Sequence, residues 1–322
     1  MCEEHSPHSQ FIEQLFEQTG SRRRRMPQEW LPKILDEAKA LGIQEVIPST
    51  MGEPLIYRHF EYLIDCCAER GLRLNITTNG SFPRFTPEEW AERIVPYTSD
   101  IKFSWNGATK ETYEQVMIGL NFEKSLENLQ RFIAVRNRVS CSGGSYCRVT
   151  LQLTFMTNNM HELPDIVRLA AACNVDRIKG HHLWAHWEAI EELSFKNSRE
   201  NRQAWNHIVK QTQEAAAQYL RSNEQPVLLE GIYPLPETDE VAASNALPDS
   251  YSCPFLGKEI WVAPDGRINP CCAPDNLRQS LGYFGRVPET SLGEALESPA
   301  YYELLEGYKQ LPLCQTCNMR KP

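Results

Sequence analysis

The sequence lacks any long apolar run, and this absence limits the class of protein. No stretch approaches the ~18 consecutive apolar residues that a membrane-spanning helix requires. The N-terminus, MCEEHSPHSQ, also lacks the apolar core of a signal peptide. We therefore expect a cytoplasmic protein without a membrane partner.

Positive charge is scarce as well. The chain has 33 Lys and Arg against 42 Asp and Glu, which gives a net charge of −9. This balance argues against broad nucleic-acid binding, so we expect no nucleic-acid partner. The single basic run, Arg22–Arg25, is interpreted as a solvated loop. Hydrophobic residues make up 41% of the 322 residues, which is enough for the core of one large or two unequal domains.

Strand and helix signals alternate through the first 185 residues. Apolar segments typical of buried strands lie at 43–48, Leu72–Thr78, Asp100–Trp105, Arg148–Met156 and Val175–Lys179. Amphipathic segments follow them, and Asn159 with Glu162 resembles the capping box of one such helix. The pattern predicts an α/β fold whose parallel sheet forms a full or partial barrel. Because the first strong element is a helix beginning at Met26-Pro27, we expect the barrel to lack its first strand.

The loop after the strand at 43–48 is the first candidate site. It reads Ser49-Thr50-Met51-Gly52-Glu53-Pro54, and ligands of α/β folds bind at this end of parallel strands. Gly52 permits close backbone approach, and the Glu53 carboxylate suits the ammonium group of an amino acid. The alternative is an ordinary strand-to-helix turn with a solvated Glu53. The loop alone does not decide between them.

The rest of the chain divides into two parts. Residues 186–250 are predicted to be helical and then a proline-containing linker, which leaves 1–185 as the core domain and 251–322 as a cysteine-rich domain. A turn signal, Pro264-Asp265-Gly266, predicts a hairpin between two short strands in this last domain.

Four of the eleven cysteines have the spacing of a metal site. The predicted hairpin can bring Cys253 and Cys271 together, and Cys314-Gln315-Thr316-Cys317 places two thiolates on one turn. This set fits either tetrahedral zinc or an iron–sulfur cluster, and unrelated buried cysteines are the alternative. Cys272 is a spare thiol, either buried or able to exchange with Cys271 as a ligand.

Together, the loop and the cysteine set resemble the radical S-adenosylmethionine (radical SAM) superfamily. The resemblance is to the branch with a C-terminal auxiliary-cluster domain of the SPASM or shorter twitch type, and it covers about Met26 to Pro322. It implies a partial (βα)6 TIM-like barrel followed by the cluster domain. It also implies a 4Fe-4S cluster and S-adenosylmethionine (SAM) as cofactors.

The resemblance assigns roles to strand-end residues and cysteines. Residues matching the family's SAM-binding segments are Gly52, Glu53, Pro54, Thr78, Asn79, Ser104 and Asn106. Asn106 stands where the family often has an acid, which leaves its role less defined. Cys253-x12-Gly266-x4-Cys271 fits the opening pattern of the auxiliary domain, and Cys314-x-x-Cys317 would complete one 4Fe-4S cluster.

One departure concerns the core cluster. The family's defining C-x-x-x-C-x-x-C motif is not present, although Cys2 falls where its third cysteine would stand. Our hypothesis is that the chain starts inside this motif, and the alternative is a degenerate family member. In either case, the chain as given is not expected to assemble the core cluster, although Cys2 remains its candidate ligand.

The resemblance also implies a reaction. SAM is cleaved to a 5′-deoxyadenosyl radical that abstracts hydrogen from a peptide or small-molecule substrate, with flavodoxin or ferredoxin as electron donor. His181, His182 and His186 follow the last predicted strand and are candidates for facing the substrate, with ordinary core or surface histidines as the alternative. The competing functions are a non-catalytic scaffold and a structural zinc protein.

Overall fold

The computed structural model describes residues 8–48, 52–185, 187–195, 198–236, 247–317 and 319–321, without the side chain of Asn276. Its largest part is a parallel sheet of six strands in sequential order, β1 to β6. The strands are β1 Glu45–Val46, β2 Arg73–Thr78, β3 Thr98–Ser104, β4 Arg148–Phe155, β5 Arg177–His182 and β6 Leu228–Glu230. The predicted α/β fold with a partial TIM-like barrel is therefore confirmed.

Helices connect these strands. They are α1 Phe11–Thr19, α2 Leu31–Ala40, α3 Phe60–Glu69, α4 Pro87–Ile94, α5 Lys110–Val116, α6 Phe122–Cys141, α7 Leu163–Ala172 and α8 Arg199–Gln218. Their starts follow local chemistry, as α4 illustrates. Thr86 and Glu89 form a reciprocal capping box, and Pro87 occupies the first turn, where its missing N–H costs nothing. Trp90 is then fully buried beneath this helix.

The two faces of the sheet differ in polarity. Residues that alternate along the strands, such as Leu74, Ile76 and Ile101, are fully buried in the hydrophobic core shared with the helices. Residues of the opposite parity, such as Asn75 and Lys102, are half-buried and hydrogen-bonded to each other. Because side chains alternate between faces of a strand, one face packs under helices and the other lines a polar interior.

Two strands differ from the sequence-based expectation. The strand expected at 43–48 has only two paired residues, Glu45 and Val46. The strand β6 was not expected, since it lies in the segment interpreted as helix and linker, yet it pairs with β5 in parallel. The domain boundary at residue 185 stays a prediction, although the sheet continues beyond it to Glu230.

The C-terminal part forms a small separate layer against α2. The predicted hairpin is present as antiparallel strands β7 Trp261–Val262 and β8 Ile268–Asn269. Short helices follow at Asp275–Arg278, Leu292–Leu296, Pro299–Gly307 and Pro312–Gln315. Ala38 of α2 joins the second hydrophobic cluster with residues such as Ile268 and Leu292. Within the described ranges, no helix has both the length and the hydropathy needed to cross a bilayer.

Candidate functional site

The carboxylate of Glu53 joins the loops that follow β1 and β2. Its Oε1 accepts hydrogen bonds from the Thr78 hydroxyl at 2.9 Å and the Leu55 N–H at 3.1 Å. Its Oε2 accepts a hydrogen bond from the Asn79 N–H at 2.6 Å. Gly52 precedes it with a φ of +80°, a left-handed conformation that favours glycine. The structure therefore brings together the predicted SAM-binding residues of two neighbouring strand ends.

Burial changes the acidity of this group. The pKa of the Glu53 carboxyl is raised above 4.5, chiefly because burial disfavours the charged form. Hydrogen bonds from Asn79, Leu55 and Thr78 act in the opposite direction. Pro54 begins a short 3-10 helix, Pro54–Ile56, so the Glu53 side chain also caps this turn. Glu53 is therefore half-buried and hydrogen-bonded, and it also caps an ordinary turn, so its role as a SAM contact stays a prediction.

The two remaining predicted contacts, Ser104 and Asn106, lie at the end of β3. Ser104 is half-buried and terminates the strand. Asn106 is buried, and its Oδ1 accepts a hydrogen bond from the Thr154 N–H at 2.9 Å. Its amide Nδ2 donates to the Met117 sulfur at 3.1 Å. Both ends of the Asn106 amide are thus used to connect β3 to its surroundings.

The capping box expected at Asn159 and Glu162 is wrong, because both side chains have longer-range partners. Asn159 makes no side-chain cap, and its Nδ2 donates to the carbonyl oxygen of Asn106 at 3.2 Å. Glu162 accepts hydrogen bonds from Thr109 and Thr112 instead, at the start of α5. The pair therefore supports the loop after β3 rather than the start of α7.

The two described histidines that were predicted to face the substrate, His181 and His182, lie on opposite faces of the sheet. His182 is 5% exposed and lies against the rings of Phe155, Phe195 and Trp205, on the helix side of the sheet. His181 has the opposite parity on β5 and is half-buried, so alternation places it towards the polar interior. His186, like Cys2, lies outside the described residues.

Five cysteines line one cavity in the C-terminal domain. The space between the lining residues, counted together with open solvent, is about 360 Å³, and the lining contains the predicted set Cys253, Cys271, Cys314 and Cys317 together with Cys272. In the part of the chain that the structure describes, no three His, Cys, Asp or Glu side chains are grouped to hold a single metal ion. The sulfurs therefore line a shared volume and do not converge on one point.

The electrostatics of the cavity follow from burial and from the neighbouring sulfurs. The pKa of Cys314 is raised to about 12 by burial and then by Cys271, Cys317 and Cys253. Burial also raises the pKa of Cys317. The pKa of Cys271 is lowered to about 7, chiefly by a hydrogen bond from the Cys272 thiol. Because thiolates crowded in this way repel each other, the donor set fits a polycationic group such as an iron–sulfur cluster.

Aromatic residues complete this cavity, and sequence reasoning did not assign them. Trp184 lines the cavity with Phe255 and Tyr308. Because Trp184 stands two residues beyond the end of β5, the cavity lies next to the carboxyl edge of the sheet. The only sequence signal was its place in GHHLW, directly after a predicted strand.

The fold and the site define a class of cofactor-dependent proteins: a partial parallel barrel with polar strand-end loops and an adjoining cysteine cavity. Two comparisons with family sequence models identify the family. The sequence model of the radical SAM superfamily matches residues 5–170. That of the SPASM family, an iron–sulfur cluster-binding domain, matches residues 253–318. The chain therefore belongs to the radical SAM superfamily and carries a SPASM-type C-terminal domain. These two domains imply 4Fe-4S clusters and SAM as cofactors.

Solved structures show a similar fold at low sequence identity. SuiB of Streptococcus suis bound to S-adenosylmethionine is 16% identical, with a TM-score of 0.64, 92% of this chain covered and 66% of SuiB. SuiB bound to precursor peptide SuiA is 16% identical, with a TM-score of 0.57, 92% of this chain covered and 65% of SuiB. Native anSMEcpe with bound AdoMet and Kp18Cys peptide is 14% identical, with a TM-score of 0.60, 92% of this chain covered and 80% of anSMEcpe. This chain thus spans just under two thirds of SuiB. No curated protein matches the sequence significantly.

Proposed function

We propose that this protein is a radical SAM enzyme of the SPASM or twitch type that acts on a peptide. The observation that carries the proposal is the junction of Glu53 with Thr78 and Asn79, which assembles polar groups at the carboxyl edge of the sheet. When bound, the core cluster and SAM supply a 5′-deoxyadenosyl radical that abstracts hydrogen from the substrate.

The residues at the carboxyl edge bind and orient SAM in this proposal. The ionised Glu53 carboxylate and the Gly52 backbone hold the ammonium group, and Pro54 fixes the turn that presents them. Thr78, Asn79 and Ser104 supply polar contacts at the next two strand ends. Asn106 positions the end of β3, because its amide is already bonded to Thr154 and Met117.

The cysteine cavity holds the auxiliary cluster. Cys253, Cys271, Cys314 and Cys317 are its proposed ligands, since these four sulfurs come from three separate segments and share one cavity. Apolar side chains such as Phe255 and Leu313 line the rest of the cavity. Because Trp184 joins this cavity to the end of β5, the cluster would lie near a substrate bound at the carboxyl edge.

A peptide is the favoured substrate class. Two proteins of similar fold have peptides bound, SuiB with SuiA and anSMEcpe with the Kp18Cys peptide. Of the two predicted histidines that the structure describes, His181 has the parity to contact such a substrate. A flavodoxin or ferredoxin is the proposed electron donor.

Formation of 5′-deoxyadenosine tests this proposal. The protein is reconstituted anaerobically with iron and sulfide, reduced with dithionite and incubated with SAM. Product formation requires that the core cluster assemble despite the incomplete cysteine motif, and where the product forms, we expect Glu53→Ala to lower its rate about tenfold or more, as loss of a charged contact does. Glu294→Ala, which removes an exposed capping carboxylate in the other domain, is the matched control. Equal rates in wild type and Glu53→Ala would contradict the assigned role.

A second candidate is a non-catalytic scaffold that binds SAM without cleaving it. The observation that favours it is that Cys2 is the one residue of the sequence assigned to the core cluster. If calorimetry detects SAM binding and the same preparation forms no 5′-deoxyadenosine, the protein is the non-catalytic scaffold. Product formation would exclude it.

A further inference from the structure

A buried guanidinium group borders the cysteine cavity. Arg320 is among the residues that line this cavity, and it is only 4% exposed. We propose that Arg320 is the counter-ion of the auxiliary cluster, a positioning residue whose positive charge balances the cluster's negative charge and raises its reduction potential. This inference rests on the proposed cluster site.

The backbone fixes Arg320 beside two of the ligand segments. Its N–H donates a hydrogen bond to the carbonyl oxygen of Cys317 at 3.1 Å, which places Arg320 one turn beyond the C-x-x-C segment. The next residue, Lys321, forms an antiparallel bridge with Ser252, directly before Cys253. The position of the guanidinium is therefore determined by the same segments that carry the proposed ligands.

The hydrogen bonds of the Arg320 side chain all end on backbone carbonyl oxygens. Its Nη1 donates to the carbonyl oxygen of Cys314, a proposed ligand, at 3.0 Å. Its Nε and Nη2 donate to the carbonyl oxygen of Tyr251 at 3.0 and 2.7 Å, and Nη2 also donates to that of Pro248 at 3.0 Å. These bonds satisfy the donors, but a neutral carbonyl group does not cancel the positive charge.

Arg320 has no carboxylate partner among the residues that the structure describes. Two other buried arginines differ in this respect, since Arg136 is paired with Asp176 and Arg278 with Asp275. A buried charge without a counter-charge is costly, so an anionic group is expected beside the Arg320 guanidinium. The cavity that Arg320 lines is the place where such a group fits.

The cluster supplies this negative charge. Four thiolates on a 4Fe-4S core form a group of net negative charge, and reduction adds one more negative charge. A nearby positive charge stabilises the reduced form more than the oxidised form, which raises the reduction potential. Because a guanidinium stays protonated in proteins, this effect does not depend on pH in the working range.

The competing role for Arg320 is a purely structural clamp that ties its carbonyl partners together. The two roles differ in what they require of the side chain. A clamp needs the hydrogen bonds of the guanidinium, whereas a counter-ion needs its charge.

Two variants and one control separate these roles. Arg320→Lys keeps the charge with fewer donors, and Arg320→Gln keeps a donor without the charge. Arg286→Gln removes the charge of an arginine in the same domain whose side chain is 44% exposed. All are made in a Cys2→Ala background, so that iron bound through Cys2 does not contribute. Iron per chain after anaerobic reconstitution and the midpoint potential from an EPR-monitored redox titration are measured.

We expect Arg320→Gln to retain iron and to have a lower midpoint potential than the parent protein. Arg320→Lys should return the potential most of the way to the parent value, and Arg286→Gln should leave it unchanged. Loss of iron in Arg320→Gln with retention in Arg320→Lys would also support the inference, because the cluster would then require the charge in order to assemble.

Three results would overturn the inference. They are an unchanged or raised potential in Arg320→Gln, an equally large shift in Arg286→Gln, and equal shifts or equal loss of iron in the two Arg320 variants. The last result would assign Arg320 to the clamp. Failure of the cluster site itself has a separate signature: replacing Cys314 and Cys317 with alanine would leave the iron content of the parent protein unchanged. In that case the proposed site and this inference both fail.

Discussion

The Glu53 carboxylate accepts a hydrogen bond from the Asn79 N–H at 2.6 Å, which fixes the loop after β1 to the loop after β2. This bond was not implied by either motif alone. It makes the position of the proposed SAM ammonium site dependent on both strand ends, and it holds a carboxylate where burial raises its pKa.

SAM binding should tighten as pH rises through the raised pKa of Glu53. Below this pKa, which lies above 4.5, the carboxyl is neutral and cannot pair with an ammonium group. In the protein without SAM, burial favours the protonated form of Glu53. The contribution of this carboxyl to the free energy of unfolding is therefore present below its ordinary pKa and is lost as pH rises through its raised pKa. Titration calorimetry between about pH 5 and about pH 8 measures the effect. Glu53→Gln should abolish this dependence and Glu294→Gln should retain it. An identical pH profile in Glu53→Gln would refute the assignment.

Gly266→Ala should destabilise the cluster domain. Gly266 has a φ of +88°, and an added Cβ would lie 2.3 Å from the carbonyl oxygen of Val287. Because backbone atoms must move, we expect a loss of about 2 kcal/mol or more, measured by denaturant unfolding, together with reduced iron uptake. Gly293→Ala, in an open helical position, should be neutral or slightly stabilising. Equal effects of the two substitutions would contradict the steric argument.

The buried ion pair between Arg136 and Asp176 should dominate the stability of the sheet's amino edge. Their side chains are 2% and 6% exposed, and Asp176 also accepts a hydrogen bond from Arg221 at 2.6 Å. Asp176→Asn leaves buried guanidinium charge without its carboxylate, which costs about 3–5 kcal/mol. Asp165→Asn, in the exposed pair with Arg168, should cost less than about 1 kcal/mol. Similar unfolding midpoints for both variants would be inconsistent with this account.

The two adjacent histidines of β5 should respond differently to alanine. His182→Ala leaves a gap among Phe155, Phe195 and Trp205, and we expect it to lower the unfolding free energy by about 2 kcal/mol or more. His181→Ala should leave stability nearly unchanged and weaken substrate binding. Differential scanning calorimetry of both variants measures the difference in stability. A larger loss of stability in His181→Ala would reverse the assignment of faces.

Local patterns were sufficient for most of the fold. Strands such as β2 and β4 were expected within one or two residues, because apolar alternation there reflects burial on one face. The strand β6 was missed because Leu228–Glu230 has three residues and an exposed leucine, so its apolar signal is too short. Its position depends on pairing with β5, which local sequence does not encode.

Site residues that belong to sequence motifs could be predicted. Residues whose roles depend on contacts with residues far away in the sequence could not. Glu53 was indicated by its loop after a predicted strand, Thr78 and Asn79 were implied by resemblance to the radical SAM superfamily, and the four cysteines came from their spacing. Glu162 was misassigned because a capping box is a local pattern, whereas its actual partners lie about fifty residues away along the chain. The contribution of Trp184 to the cysteine cavity likewise depends on domain packing.

The most direct test of the central claim is iron and sulfide per chain after anaerobic reconstitution, with EPR spectra of the reduced protein with and without SAM. We predict at least about four irons per chain and a reduced 4Fe-4S signal, with about four irons lost when Cys314 and Cys317 are both replaced by alanine. A signal that SAM perturbs would place a further cluster at the SAM site and support the enzyme over the scaffold. Zinc in place of iron, or iron unaffected by the double substitution, would contradict the account.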